Sequence, residues 1–411
     1  MVSRRSSTAP TPSLSTSETL QRAAAIAISV IAITVRCYVS WRTHLTADGA
    51  FTTLRYAENI AAGHGVVYKS AEHVLSIGGP LYALLLSVFS SISYTHLHVI
   101  LAGKTCNIAA EGITCYLMAR LLAHDEVNRP IAGLFAASIY ALSSAPIAAS
   151  IGGTEVGLVT CVCLAMVYAY VSGRPYWLYT LGAVLFLLSF NGLFLFAILA
   201  GSLAVKERKL QPRAGAIALI IMIPWLIFAT AYYGSPIPTA INTAWVYGRT
   251  AVPHTDSALA GTGAFAAQFA SGWTMGALCL LFVLGTILVV CQAVMRAESG
   301  VMAAPLIWCL TVFAAMLFAR IPVASAYFVP TLPVYIAVAF LAGAAAPIKF
   351  SKLWPDLAAR YSGRAVPGSL ILLVLLGIVH LGSVVDEVGA LQRPQVTPAA
   401  SSRAGREVPI K

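Results

Sequence analysis

Apolar residues run along this chain in long stretches, at 22–41, 80–94, 97–122, 130–150, 154–171, 177–189, 191–205, 214–233, 273–295, 301–319, 328–346 and 367–384. Most approach the roughly 17–25 residues that cross a bilayer core as a helix. They lack the strict alternation of a barrel strand, so helices are the spanning element. Polar residues collect in short links, except in two long connections, 41–79 and 234–272. The pattern predicts an all-α polytopic membrane helix bundle.

One run stands apart. Segment 80–94 lies between Gly78-Gly79-Pro80 and a Ser/Tyr/Thr/His cluster, and it is short for a span. The side assignments below also make it begin and end on one side of the membrane. It is therefore predicted as a juxtamembrane or re-entrant helix in a first outer loop, 41–96. About 11 spans remain in a membrane domain at 22–384. A Ser/Thr/Pro-rich tail at 1–21 and a flexible tail at 385–411 flank it. Arg4, Arg5 and Arg22 precede the first run, which reads as an uncleaved first helix.

Charge sharpens this picture. Only 10% of the 411 residues are charged, against about 25% in soluble domains, so soluble, disordered and collagenous classes are excluded. Net charge is +11, with 26 Lys+Arg against 15 Asp+Glu. The basic residues sit beside spans, where they set orientation and meet anionic lipid headgroups, so nucleic acid is not a partner. Links 206–213 and 347–366 each hold four Lys/Arg, whereas 234–272 holds Arg249 alone. In 41–79, Arg42, Arg55 and Lys69 are balanced by Asp48, Glu58 and Glu72. Both long connections are thus expected outside a plasma (inner) membrane, with the N-terminus cytoplasmic and the C-terminus outside. All eight cysteines lie in or beside apolar runs and read as small buried residues, not as a disulfide framework.

Candidate chemistry concentrates in the first outer loop. Read as a helix, residues 47–60 put Arg55, Glu58 and Asn59 on one polar face, with Phe51 and Leu54 nearer the apolar one. Asp48 opens that helix. It is either an N-cap accepting free backbone N–H groups or a general base or metal ligand at the membrane surface; the roles are compatible. Farther on, Lys104, Asn107 and Glu111 share one face of a span, favouring a structural polar network over a transport path. His44, His64 and His73 lack a recognised ligand spacing and read as loop histidines. Tyr232, Tyr233, Trp245 and Tyr247 fit an aromatic belt first and sugar stacking second.

The order of short motifs is more specific than any one of them. Asp48-Gly49-Ala50-Phe51, then Leu54-Arg55-Tyr56-Ala57-Glu58-Asn59, then Gly63-His64-Gly65-Val66-Val67-Tyr68 resembles the first outer loop of GT-C glycosyltransferases. The resemblance is to the bacterial arabinofuranosyltransferase-like and aminoarabinose-transferase-like branch. Gly78-Gly79-Pro80-Leu81-Tyr82, Gly152-Gly153-Thr154-Glu155, Tyr232-Tyr233-Gly234-Ser235-Pro236 and Tyr327-Phe328-Val329-Pro330 follow in the family's order, so the likeness extends over most of 22–346.

The resemblance implies a GT-C-like fold and transfer of a sugar from a polyprenyl-phosphate donor to a cell-envelope glycan or lipid. It places Asp48 and Glu155 on the family's acidic positions, as catalytic groups. Arg55, Tyr56, Asn59, His64, Tyr233 and Arg320 would contact substrate, and Asp48 would serve a divalent cation (Mg or Mn) if one takes part. The family pattern also departs here: its paired acidic residues read Asp48-Gly49, a charged turn reads Ser189-Phe190-Asn191-Gly192, and an arginine is replaced by Ala326. Two alternatives follow, a catalytically silent relative that binds lipid-linked glycan, and a transporter or flippase using Lys104 and Glu111.

Overall fold

The computed structural model describes residues 16–69, 73–92, 95–125, 127, 129–236, 238, 282–287, 289–291, 301–318 and 328–341. The second long connection beyond 238, the last apolar run, residues 1–15 and 385–411, Arg249 and Arg320 lie outside the described residues, whereas residues 16–21 of the tail expected at 1–21 are helical. Among the described residues the chain is helical, with no extended strand. Among them ten helices form the main bundle: α1 (Thr16–Thr43), α2 (Asp48–Ala61), α3 (Pro80–Ile92), α4 (His96–Ala123), α5 (Pro130–Leu142), α6 (Ser144–Ile151), α7 (Val156–Val171), α8 (Pro175–Leu188), α9 (Gly192–Glu207) and α10 (Pro212–Tyr233). The further helix Ala303–Phe318 packs on α9, and the 3-10 turn Val329–Thr331 packs on α6 and α7.

By length and composition, α1 from Glu18 and α10 are each long and apolar enough to cross a membrane. Helices α5 and α6 form a third crossing if counted as one broken span, being bent by 57° relative to each other. The apolar run 130–150 is thus not one straight helix. Pro146 cannot continue a helix through Leu142, because its ring would meet that carbonyl, yet it is tolerated in the first turn of a new one. Runs 177–189 and 191–205 are two separate helices, α8 and α9, parted at Ser189–Asn191. Helix α3 has 13 residues, about 20 Å at 1.5 Å per residue, which is too short for a hydrocarbon core of about 30 Å.

Helix α4 is the central strut. It packs on α1, α3, α5, α6 and α7, and Lys104, Asn107, Glu111 and Thr114 are all buried within it. Burial of such groups is tolerated only when they are paired or hydrogen-bonded, and each is. Glu111 Oε2 accepts from Arg36 Nη2 of α1 at 3.0 Å, and its Oε1 accepts from the Tyr140 hydroxyl of α5 at 3.2 Å. Arg36 Nη1 also donates to the Ala141 carbonyl at 3.0 Å. Both charged side chains are wholly buried, so this pair locks three helices together. Arg36 is the lone arginine in the interior of the first apolar run; its isolation there is the sequence signal for a buried partner.

The two ends of the bundle differ. At one end, α1, α6, α8 and α10 finish while α2, α3, α4, α7 and α9 begin. Backbone bonds tie these termini: Ala47 N–H to the Gly152 carbonyl at 2.8 Å, and Phe190 N–H to the Gly78 carbonyl at 2.9 Å. At the other end lie Arg120, Arg129, Arg174, Lys206, Arg208, Lys209 and Arg213.

Candidate functional site

The first end gathers the motifs that are scattered along the sequence. Residue Ala47, in extended conformation, leads the chain out of α1 and turns it into α2. Asp48 is the first residue of α2; it is exposed, and no side chain caps the helix. The capping role is therefore not taken, and the carboxylate faces the medium. Gly49 brings α2 against the next acidic segment, where a Cβ on it would lie 3.4 Å from Thr154 Cγ2.

Glu155 ends the turn between α6 and α7 and is half-buried, with no side-chain cap bond to α7. Its carboxylate faces the Gly78-Gly79-Pro80 turn, where a Cβ on Gly78 would sit 3.5 Å from Oε1. Burial raises the Glu155 pKa above the usual glutamate range, since desolvation penalises the charged form. Tyr82 is buried beneath the same turn and donates to the Gly153 carbonyl at 2.9 Å. Its own pKa is raised, first by burial and then by the nearby Glu155 charge. Gly153 has φ +86°, a conformation that side-chain-bearing residues rarely adopt. Among the described residues, neither Asp48 nor Glu155 pairs with a cation.

The other residues named from sequence divide into two groups. Arg55 is exposed, with Glu58 at 3.8 Å as a loose partner. It shares the outer face of α2 with Asp48 and with Phe51, which is 52% exposed. This corrects the face read from the sequence: Phe51 points outward, and Asn59 is buried. The reason is that residues 64–69 and 73–77 fold beneath α2. Asn59 Nδ2 donates to the carbonyls of Val67 at 2.7 Å and Tyr68 at 3.1 Å. Tyr56 is fully buried; its hydroxyl donates to the Val74 carbonyl and accepts from Ser76 N–H at 3.0 Å. Tyr233, at the end of α10, donates to the Val66 carbonyl at 2.5 Å. These three side chains hold the loop. His64 is exposed at the loop's tip, while His73 packs edge-on against Tyr232 with centroids 4.3 Å apart. Glu58 is bonded to His96 at the start of α4.

Between the Gly78–Pro80 turn, Phe186, Phe190 and Trp225 lies an apolar cleft of about 10 Å³, room for about one water. Among the described residues, no group of three or more His, Cys, Asp or Glu side chains gathers as a metal site. Among the described residues, Asp48 thus stands without the further donors a resident cation would need.

No protein-family model and no curated protein sequence matches the chain. Among solved structures, the chain is similar to ArnT from Cupriavidus metallidurans with undecaprenyl phosphate bound. The likeness has a TM-score of 0.52 at 12% identity, covering 92% of this chain and 74% of that one. At that identity it is the fold that is shared. The chain thus has the GT-C-like, all-α membrane fold that the order of its motifs implied.

Proposed function

We propose that the protein is a membrane glycosyltransferase that moves a sugar from a polyprenyl-phosphate donor to a cell-envelope glycan or lipid. The observation that carries this reading is the meeting of the Asp48 and Glu155 segments at one end of a GT-C-like fold, joined by the Ala47–Gly152 backbone bond of 2.8 Å. The lipid bound by the structurally similar ArnT, undecaprenyl phosphate, is the kind of molecule such a donor leaves behind. The seven basic residues at the opposite end mark that end as cytoplasmic by the positive-inside rule. The acidic end then faces the outside of a plasma (inner) membrane.

In this reading Asp48 takes the proton from the acceptor hydroxyl as that oxygen attacks the anomeric carbon. The bond from that carbon to the phosphate oxygen breaks, and its electron pair leaves with the polyprenyl phosphate. A positioned carboxylate base contributes roughly 10²–10⁴-fold to such a step. Arg55 lies two turns along the same face of α2, about 10 Å from Asp48 at 1.5 Å per residue, where it meets the donor phosphate. Glu155 orients the acceptor hydroxyl. Phe51 offers a ring to the sugar, and His64 is within the same loop.

The transporter reading loses its motive, because Glu111 is neutralised by Arg36 and Lys104 is bonded to the Leu45 carbonyl. The silent-relative reading keeps one, the uncharged turn Ser189-Phe190-Asn191-Gly192. Comparing envelope glycans and lipid-linked sugars between wild-type and deletion strains separates the two. Loss of one glycan substituent with accumulation of its polyprenyl-phospho-sugar supports transfer. Identical profiles would contradict it.

A further inference from the structure

We infer that Lys104 and Asn107, neighbours on the buried face of α4, are positioning residues that set the Asp48 and Glu155 segments relative to each other. This rests on the reading of those two carboxylates as the transfer site. Lys104 Nζ donates to the Leu45 carbonyl at 2.6 Å, three residues ahead of Asp48. The turn it grips is one the backbone does not favour: His44 has φ +52°, unusual for a residue with a side chain. Leu45 N–H meets the Thr43 hydroxyl at 3.4 Å, and Ala47 N–H then reaches across to Gly152. A charged donor makes a stronger bond to a carbonyl than a neutral one, and a lysine stem is long enough to deliver it from the next helix.

Asn107 holds the other half. Its Oδ1 accepts from Leu158 N–H at 3.0 Å, just inside α7, and its Nδ2 donates to the Tyr82 hydroxyl at 3.1 Å and the Gly103 carbonyl at 2.8 Å. Tyr82 in turn donates to the Gly153 carbonyl. The turn bearing Glu155 is thus gripped before and after the carboxylate, both times through Asn107. Helix α7 reaches this side chain because residue 157 is glycine; a Cβ there would lie 2.8 Å from Asn107 Oδ1. One turn of α4 therefore carries the hydrogen bonds that fix both acidic segments, although neither side chain has a contact to either carboxylate among the described hydrogen bonds and ion pairs.

The test reads geometry and chemistry separately in the full-length protein. A Cβ at Gly152 would lie 3.3 Å from that of Ala47, close to the Cβ separation of about 3.5–4.5 Å in a disulfide. An Ala47→Cys/Gly152→Cys pair should therefore cross-link on oxidation, detected as the linked peptide by mass spectrometry. Lys104→Met and Asn107→Leu in that background should slow linking at least several-fold, and Lys104→Arg should restore most of the rate. Without the added cysteines, Lys104→Met should lower kcat for sugar transfer by roughly ten- to a hundredfold, the scale of a small misplacement, with the donor KM little changed. Unaltered linking in both Lys104→Met and Asn107→Leu would overturn the inference, as would a raised KM at unchanged kcat. If the wild type transfers no sugar, the functional reading fails, and the linking rates still decide whether α4 positions the two segments.

Discussion

Two clusters of ionisable groups sit on the same helix bundle and are treated in opposite ways. In the interior, Glu111 is wholly buried and meets Arg36 and Tyr140, so its charge is cancelled where it stands. At the end of the bundle, Asp48 is exposed and Glu155 half-buried, and among the described residues neither has a cationic partner. Neighbouring helices bring a counter-charge to the first. To the second they bring glycines, carbonyls and hydroxyls that shape the backbone. The contrast separates a carboxylate that holds the fold from carboxylates that the fold holds out for use.

That contrast can be broken by mutation, and the largest effect belongs to the interior. Glu111→Ala leaves Arg36 buried and unpaired and should destabilise the protein by about 3–5 kcal/mol. Replacing both, Arg36→Met with Glu111→Leu, should lose far less, since an apolar pair needs no compensation. Thermal melting in detergent checks both; equal losses would mean that the pair is not the lock described. Next comes Tyr82→Phe, which strips a donor from the Gly153 carbonyl and an acceptor from Asn107. It should cost about 1–3 kcal/mol, the range for buried groups left unpaired.

A smaller effect follows from Glu155. Its folded-state pKa is raised, so the stability linked to it is full below the ordinary glutamate value of about 4.3 and is lost as pH rises through the folded value. Glu155→Gln removes this dependence. Melting curves of wild type and variant should converge near pH 4 and separate at higher pH, with the variant the more stable. A gap that widens toward acid would contradict the assigned burial. Smallest of all, Asp48→Ala should move stability by no more than about 0.5 kcal/mol, as for a surface residue. A true N-cap would lose about 0.5–2 kcal/mol.

Much of this was legible in the chain. The all-helical membrane class followed from the apolar runs, and the shortness of segment 80–94 set it apart from the expected spans. The spacing of Lys104, Asn107 and Glu111 announced a buried polar face. Its partners were not legible, because Arg36, Tyr140, Leu45 and Tyr82 lie on other helices and loops, and pairing is decided by tertiary packing. The face of α2 was misread for the same reason: Asn59 looks like a surface amide until Val67 and Tyr68 are folded beneath it. The bend at Ser143 had a local signal in Pro146, outweighed in the reading by continuous hydrophobicity. At the site, motif order foretold which segments belong together, and no sequence feature showed that Asp48 would leave the helix end uncapped.

The residue that contributes least to stability is assigned the most in chemistry, and one measurement addresses it. In cells carrying Asp48→Ala at matched membrane levels of protein, polyprenyl-phospho-sugar and modified envelope glycan are quantified together by mass spectrometry. The account predicts that the donor accumulates and the modification disappears while the variant melts like wild type. An unchanged glycan with no accumulated donor, from a variant folded as well as the parent, would contradict it.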